Sequence, residues 1–175
     1  YLKKHHSKKR QKHSFEVSKL AESLCSRYDI DPGKGRIAGI AHDIARNFHK
    51  EKLAAYAARD GKGISLQEDS LPILLHGRAG AEFIKETWDV QDREILEAVR
   101  HHTCGKPGMC RLSSILFISD YLEPGRKFLT ENERQEIISR GLEEMLIFVV
   151  KGKCQHLEKK GREILPDTLL LYREL

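Results

Sequence analysis

The sequence predicts an all-α protein folded as one domain, residues 1–175. Three observations lead there. Apolar residues recur at three- and four-residue spacing in tract after tract. Ser, Asp, Thr and Pro stand where those tracts begin, and Gly or Pro where most of them end. No segment shows the two-residue alternation of a half-buried strand, and no linker, repeat or low-complexity stretch divides the chain. This length suffices for one sizeable core.

Ser7 can cap a first helix, with Val17, Leu20, Ala21, Leu24 and Tyr28 on one stripe. His13 lies one turn before Val17 on the same stripe. Asp31 followed by Pro32 gives an N-cap and an N1 proline, opening a second helix. Ile37, Ile40, Ala41 and Ile44 are expected to form its buried face, which places the adjacent pair His42 and Asp43 mid-helix. A short helix is expected around Lys50 to Arg59, followed by the turn Gly61-Lys62-Gly63. Leu71-Pro72 starts a helix carrying His76 early. From Asp92 to His102, the residues Ile95, Val99 and His102 fall at i, i+4 and i+7, and Gly105 and Pro107 stop the helix. The string LSSILFISDYL is apolar nearly all round and predicts a central helix. Pro124-Gly125 ends it. Thr130 with Glu133 predicts a capping box for one long amphipathic helix through Val150. Pro166-Asp167-Thr168 starts a short terminal helix.

Composition narrows the classes. Hydrophobic residues make up 39% and charged residues 33%, as expected of helices with charged outer faces. No apolar run approaches a membrane span, and no signal-peptide pattern opens the chain. The lack of an initiator Met implies native residues ahead of Tyr1. A net charge of +5 and a pI near 9.0 favour an anionic partner. The opening YLKKHHSKKRQKH carries no acid. A solvated helix face is the leading reading of it, phosphate contact near a site the second. A nucleic-acid tail comes last, because aromatic interleaving is absent. Cys25, Cys104, Cys110 and Cys154 show no CxxC spacing, so reduced thiols in a cytoplasmic compartment are expected. A zinc site from Cys104, Cys110 and His102 is disfavoured, since structural zinc sites pair two close knuckles.

The chemistry resides in histidines and acids on apolar faces. Asp120 is the only charge inside the central helix, and an unpaired buried carboxylate is costly. A metal ion or a buried cation would resolve it. Taken alone, each histidine is more simply a satisfied core residue. Together, His13, His42, His76 and His102 with Asp43 and Asp120 favour a shared metal site, because neutral imidazole and carboxylate are metal ligands. His5, His6, His49 and His156 lie in charged surroundings and are expected at the surface. His101 points about 100° away from His102 around the helix.

The ordered set H…HD…H…H…D resembles that of the HD-domain metal-dependent phosphohydrolases. The strings KHSFEVSKLA, AGIAHDIAR, LLHGRAGA, RHHTCGKPGM and ISDYLEPGR, with the closing ILPDT, resemble the YqeK family nearly end to end. That family consists of HD-domain symmetrical diadenosine tetraphosphate hydrolases. The resemblance implies a single HD-domain helical bundle. It makes His13 the first ligand and Asp43 of the His42-Asp43 doublet a carboxylate bridging two metals. His76 and His102 become ligands of the second metal, and Asp120 closes the first site. It gives Arg46 a phosphate contact, and makes the loop Thr103, Gly105, Lys106 and Pro107, with Arg126, nucleotide-contacting. His101 departs from the pattern, where Tyr is more usual.

The implied cofactor is a dinuclear divalent centre, iron by resemblance, with Mn, Co or Zn compatible with N/O ligation. The implied reaction is attack by a hydroxide generated at the metals, cleaving diadenosine tetraphosphate into two ADP. Two other readings share these residues: a phosphohydrolase of mononucleotide di- or triphosphates, and a non-catalytic nucleotide-binding regulator. An RNA-binding helical protein would instead use the basic N-terminus. No membrane partner is expected, and a homodimer is compatible with the sequence.

Overall fold

The computed structural model describes residues 1–175 and contains helices and turns with no strand. A short α1 (Leu2–His5) leads into α2 (Lys8–Arg27) and α3 (Pro32–Ala41). α4 (Lys50–Ala57) and α5 (Leu66–Ser70) precede α6 (His76–Thr87) and α7 (Arg93–His101). α8 (Arg111–Leu122) is followed by α9 (Glu131–Ser139), α10 (Leu142–Lys159) and α11 (Pro166–Glu174). Single 3-10 turns at Ala58–Asp60 and Pro72–Leu75 complete the chain path. No helix is long and apolar enough to cross a membrane.

α8 is the central helix. Leu112, Ile115, Leu116, Phe117, Ile118 and Leu122 are all fully buried, and α2, α3, α7 and α10 pack around them. Hydrophobic burial of this continuous set is the main stabilising term. The expected caps form. Ser7 Oγ accepts from Arg10 N–H at 3.3 Å, and Asp31 Oδ1 from Gly33 N–H at 2.8 Å. Thr130 and Glu133 make the expected reciprocal capping box on α9, and Asp92 caps α7, a cap the sequence reading did not assign.

The α2–α3 contact differs from the expectation. Ile37 is exposed, and the buried residues of α3 are Gly35, Ala38, Gly39 and Ala41. Small residues win here because the two backbones nearly touch. A Cβ on Gly39 would lie 2.4 Å from Ser18 Cα, and one on Gly35 2.7 Å from the Ala21 carbonyl oxygen. The pair His42-Asp43 is also not mid-helix. The α-helix ends at Ala41, and the chain continues in tighter i→i+3 turns: Ile44 N–H to Ala41 O at 2.9 Å and Arg46 N–H to Asp43 O at 3.0 Å.

Three further corrections concern local order. α5 was not expected, although Ser65 and Glu68 cap it reciprocally. The long helix through Val150 is instead two helices, α9 and α10. Gly141 is extended (φ −64°, ψ 158°) and acts as N-cap of α10, its N–H held by the Glu144 carboxylate at 3.0 Å. His6 is buried rather than exposed, and its Nε2 donates to Ile44 O at 3.2 Å. That bond ties the basic N-terminal segment to the turns that carry Asp43.

Candidate metal centre

Six side chains from five parts of the chain converge beside α8. His13 comes from the middle of α2 and Asp120 from the end of α8. His42 is the C-cap of α3, His76 of the Pro72–Leu75 turn and His102 of α7. These three positions share a physical logic. The last carbonyls of a helix have no intrahelical partner. Each of the three rings contacts a carbonyl at such an end through Nδ1: Gly39 O at 2.7 Å, Ile73 O at 2.5 Å, which also accepts from the His76 backbone N–H, and Val99 O at 2.8 Å. Each acceptor lies three residues back. The contact orients Nδ1 toward the carbonyl and turns Nε2 into the site, where it can serve as a ligand atom. His13 sits mid-helix, where no carbonyl is spare. Its Nδ1 donates to the Glu123 carboxylate at 3.1 Å instead.

The Nε2 atoms then face one another. His13 Nε2 is 3.1 Å from His42 Nε2, and His76 Nε2 is 3.0 Å from His102 Nε2. In the tautomers that donate from Nδ1, neither member of a pair has an Nε2 proton to give the other. A cation between them resolves the repulsion. Asp43 divides its oxygens between the two pairs. Oδ1 lies 3.1 Å from His76 Nε2 and 3.7 Å from His102 Nε2. Oδ2 lies 3.5 Å from His42 Nε2 and 3.7 Å from His13 Nε2. Asp120 Oδ1 joins the first pair, 3.2 Å from His13 Nε2. The ligand atoms of His13, His42 and Asp120 all lie within 4.8 Å of one another, as do those of His42, Asp43 and His102. This N/O donor set suits first-row divalent cations.

Electrostatics favours the ligand forms of His102 and of the two carboxylates, whereas for His13 burial lowers the imidazole but the facing Asp120 and Glu123 carboxylates outweigh it and raise it. Burial pushes the His102 imidazole down to about 4, so it is neutral. Burial alone would raise both carboxylates. For Asp43 the facing His42, His102 and His76 rings outweigh it. For Asp120, His13, Lys153 and Arg126 do so, and both acids stay ionised, well below the usual range. The structure also supplies the second resolution of the Asp120 problem. Arg126 Nη2 donates to Asp120 Oδ1 at 2.5 Å, and the half-buried Lys153 Nζ lies 3.9 Å from Oδ2. The zinc alternative does not form: all four cysteines are free and none joins a ligand cluster.

A cleft of about 820 Å³ opens beside this centre. Arg46, Arg126, Lys153, Lys159 and Arg162 bring positive charge to it, and Leu71, Tyr121 and Phe128 bring apolar surface. Arg46 Nη1 stands 3.4 Å from Asp43 Oδ1. Thr103 lines the cleft, with Oγ1 3.3 Å from the Nε2 atoms of both His76 and His102. Cys104 lines the cleft as well, whereas Gly105, Lys106 and Pro107 are placed elsewhere. Gly105 packs on Leu171 and Phe117. Lys106 pairs with Glu97 at 3.5 Å and lines a second cavity. Pro107 lies outside the cleft lining. His101 also faces the second cavity rather than the metal centre.

The HD-domain family model matches residues 10–125, which hold every residue of the cluster. The chain belongs to the HD-domain family. Within this family it is 35% identical over 163 residues to a symmetrical bis(5'-nucleosyl)-tetraphosphatase of Bacillus subtilis, covering 93% of this chain and 87% of that protein. A protein of the same name from Halalkalibacterium halodurans is 31% identical, covering 99% and 92%. The crystal structure of a predicted HD superfamily hydrolase involved in NAD metabolism from Clostridium acetobutylicum superposes with a TM-score of 0.92. It is 31% identical, with 99% of this chain and 92% of that one covered. The chain is therefore an HD-domain hydrolase of the symmetrical bis(5'-nucleosyl)-tetraphosphatase branch.

Sequence reasoning passed over three residues of this HD site. Glu123 orients His13, and its spacing of three from Asp120 was a usable signal. Arg10 stands three residues before His13 and reaches Asp43 Oδ2 with Nη1 at 2.5 Å. In the sequence it is indistinguishable from the other cations of YLKKHHSKKRQKH. Lys153 comes from α10, and nothing local in the sequence ties it to Asp120.

Proposed function

We propose that this HD-domain enzyme hydrolyses dinucleoside tetraphosphates symmetrically, releasing one ADP from each half of diadenosine tetraphosphate. The observation that carries the reading is the pair of imidazole nests sharing Asp43 at the wall of a cation-lined cleft. Relatives at 35% and 31% identity bearing that activity in their names support it. His13, His42 and Asp120 would hold one divalent ion, His76 and His102 the other, and Asp43 would bridge them. Iron is our expectation for the metal, and Mn, Co or Zn suits the same donors. Such a pair, when bound, supplies a water acidified toward neutral pH and neutralises phosphoryl charge.

The chain's own residues do the rest. Arg46 sits between the centre and the cleft, where its guanidinium can neutralise charge developing on a phosphoryl oxygen. Arg126 and Lys153, which line the cleft, would receive the flanking phosphates, and Thr103 would hold an oxygen near the His76–His102 pair. Leu71, Tyr121 and Phe128 offer apolar faces for a base. The excess of cations draws a polyanion in. Four free thiols fit the cytoplasmic setting such a nucleotide substrate requires.

Hydrolysis of diadenosine tetraphosphate in ¹⁸O-water tests the assignment. Labelled ADP without AMP or ATP supports symmetrical attack at an inner phosphorus. An AMP-plus-ATP pair refutes it. Turnover of mononucleotide triphosphates with none of the dinucleotide would identify a general nucleotide phosphohydrolase.

A further inference from the structure

A second cavity, of about 420 Å³, is bordered by residues of α6, α7 and the turn at Ala58–Asp60. Its lining is almost wholly polar, with Leu96 the one hydrophobic residue. Arg59, Lys62, Lys85, Arg93, Arg100 and Lys106 face it, against the carboxylates of Asp60, Glu82 and Glu97. Those acids are already committed. Both Asp60 oxygens accept from Arg78 at 2.8 Å, Glu82 holds Arg100 at 2.5 Å, and Glu97 is 3.5 Å from Lys106. Lys62 and Arg93 have no carboxylate within ion-pairing distance, since neither makes a salt bridge. Arg100 Nε is buried with no hydrogen-bond partner, its nearest carboxylate being Asp60 Oδ2 at 3.9 Å, which is held by Arg78.

An unpartnered buried donor and an excess of cations in one concavity are unfavourable unless an anion completes them. We infer that this cavity binds a small phosphate-bearing anion, at a site separate from the metal centre. The elements that form it are built for such a ligand. Guanidinium groups on α7, Arg93 and Arg100, present planar donors suited to phosphate oxygens. Lys62 comes from the Gly61-Lys62-Gly63 turn and Lys106 from the loop after His102, so the charges approach from two loops and a helix. Lys106 is the one cation of the 103–107 loop, and its position explains why that loop carries a charge that the catalytic cleft does not use. His101 lines this cavity while its neighbour His102 faces the metal centre, so the two sites share the end of α7.

The test is titration of the metal-loaded full chain with inorganic pyrophosphate, followed calorimetrically, for wild type and for Lys62→Ala/Arg93→Ala. Both substituted side chains are exposed and make no ion pair, so the variant retains the fold and its turnover. Wild type is expected to bind two equivalents, one in the catalytic cleft and one here. The variant should keep the first and bind the second at least tenfold more weakly. A parallel titration with ADP separates the sources of the phosphate. A second equivalent of ADP lost in the variant identifies a nucleotide ligand, and one seen only with pyrophosphate identifies a free anion. Equal stoichiometry and affinity in both proteins for both probes would overturn the inference. So would a single pyrophosphate site in wild type.

Discussion

Glu123→Gln isolates the outer shell of the first metal nest. Glu123 is buried at 3% exposure and uses both oxygens. Oε1 accepts from His13 Nδ1 at 3.1 Å and Oε2 from Gly125 N–H at 2.5 Å. Burial raises the Glu123 carboxyl, but the His13 ring and the Gly125 N–H outweigh it and hold the acid below its usual range. Glutamine has the same shape but only one acceptor oxygen. Its NH2 must face either His13 Nδ1–H or Gly125 N–H, donor against donor. His13 is the one ligand without a backbone carbonyl to fix its tautomer, so it loses orientation and basicity together. Removing such a partner typically weakens metal binding by about 10- to 100-fold, or about 1.4 to 2.7 kcal/mol. The loss should be confined to one ion, because His76 and His102 are held by Ile73 O and Val99 O. Chelator competition followed by metal analysis should show one weakly held and one wild-type ion per chain. Two ions with wild-type resistance to chelator would refute the reasoning.

Asp43→Ala should abolish turnover and reduce bound metal to near zero, since its two oxygens face both nests; retention of two ions would exclude the bridging role. Arg46→Ala should lower kcat by about tenfold to a thousandfold, the scale of a lost electrostatic donor, while metal content stays at the wild-type value. His102→Ala should lose at least one ion and His101→Ala none, as measured by metal analysis of the two purified proteins. Gly39→Ala should lower stability by about 1 to 3 kcal/mol through overpacking, read by urea denaturation, and should also loosen metal through the Gly39 carbonyl that orients His42. The Arg78 network sets an acid limit on stability: burial raises the Asp60 and Glu68 carboxyls, but Arg78 and local N–H and hydroxyl donors outweigh it and depress both. A depressed carboxylate stabilises the fold above its unfolded pKa of about 4, and that contribution is lost as pH falls further. Arg78→Ala should therefore cost about 3 kcal/mol at neutral pH, with the gap in Tm to wild type closing below about pH 4.

Much of the fold was legible because local rules and tertiary demands agree over most of the chain. Ser7, Asp31 and Thr130 announce helix starts through side-chain oxygens, and each caps a helix in the structure. LSSILFISDYL reads as central because it has no polar face wide enough to meet water. The misreadings occur where packing overrides pattern. α3 was oriented by its isoleucines, yet its contact with α2 is governed by glycines, which carry no hydropathy signal. The single helix expected through Val150 breaks at Gly141, where Glu144 supplies a capping acceptor that resembles an ordinary surface acid in sequence.

The site divides along the same line. Four histidines and two acids could be picked out because polar groups on apolar stripes need a reason to be there. Their tautomers could not, since those depend on which carbonyls a helix leaves spare. The Asp120 choice between metal and buried cation turns out to be no choice. Arg126 and Lys153 contact the same carboxylate that faces His13. A divalent ion at the first nest must then share Asp120 Oδ1 with the Arg126 guanidinium or displace it. Displacement would free Arg126 for the cleft it already lines, coupling occupancy of the metal nest to a phosphate-binding side chain. Arg126→Ala should accordingly tighten metal at the first nest while raising KM for the dinucleotide. A variant with weaker metal binding and an unchanged KM would show that Arg126 merely braces Asp120. Chelator competition and initial-rate kinetics on the one protein decide between the two.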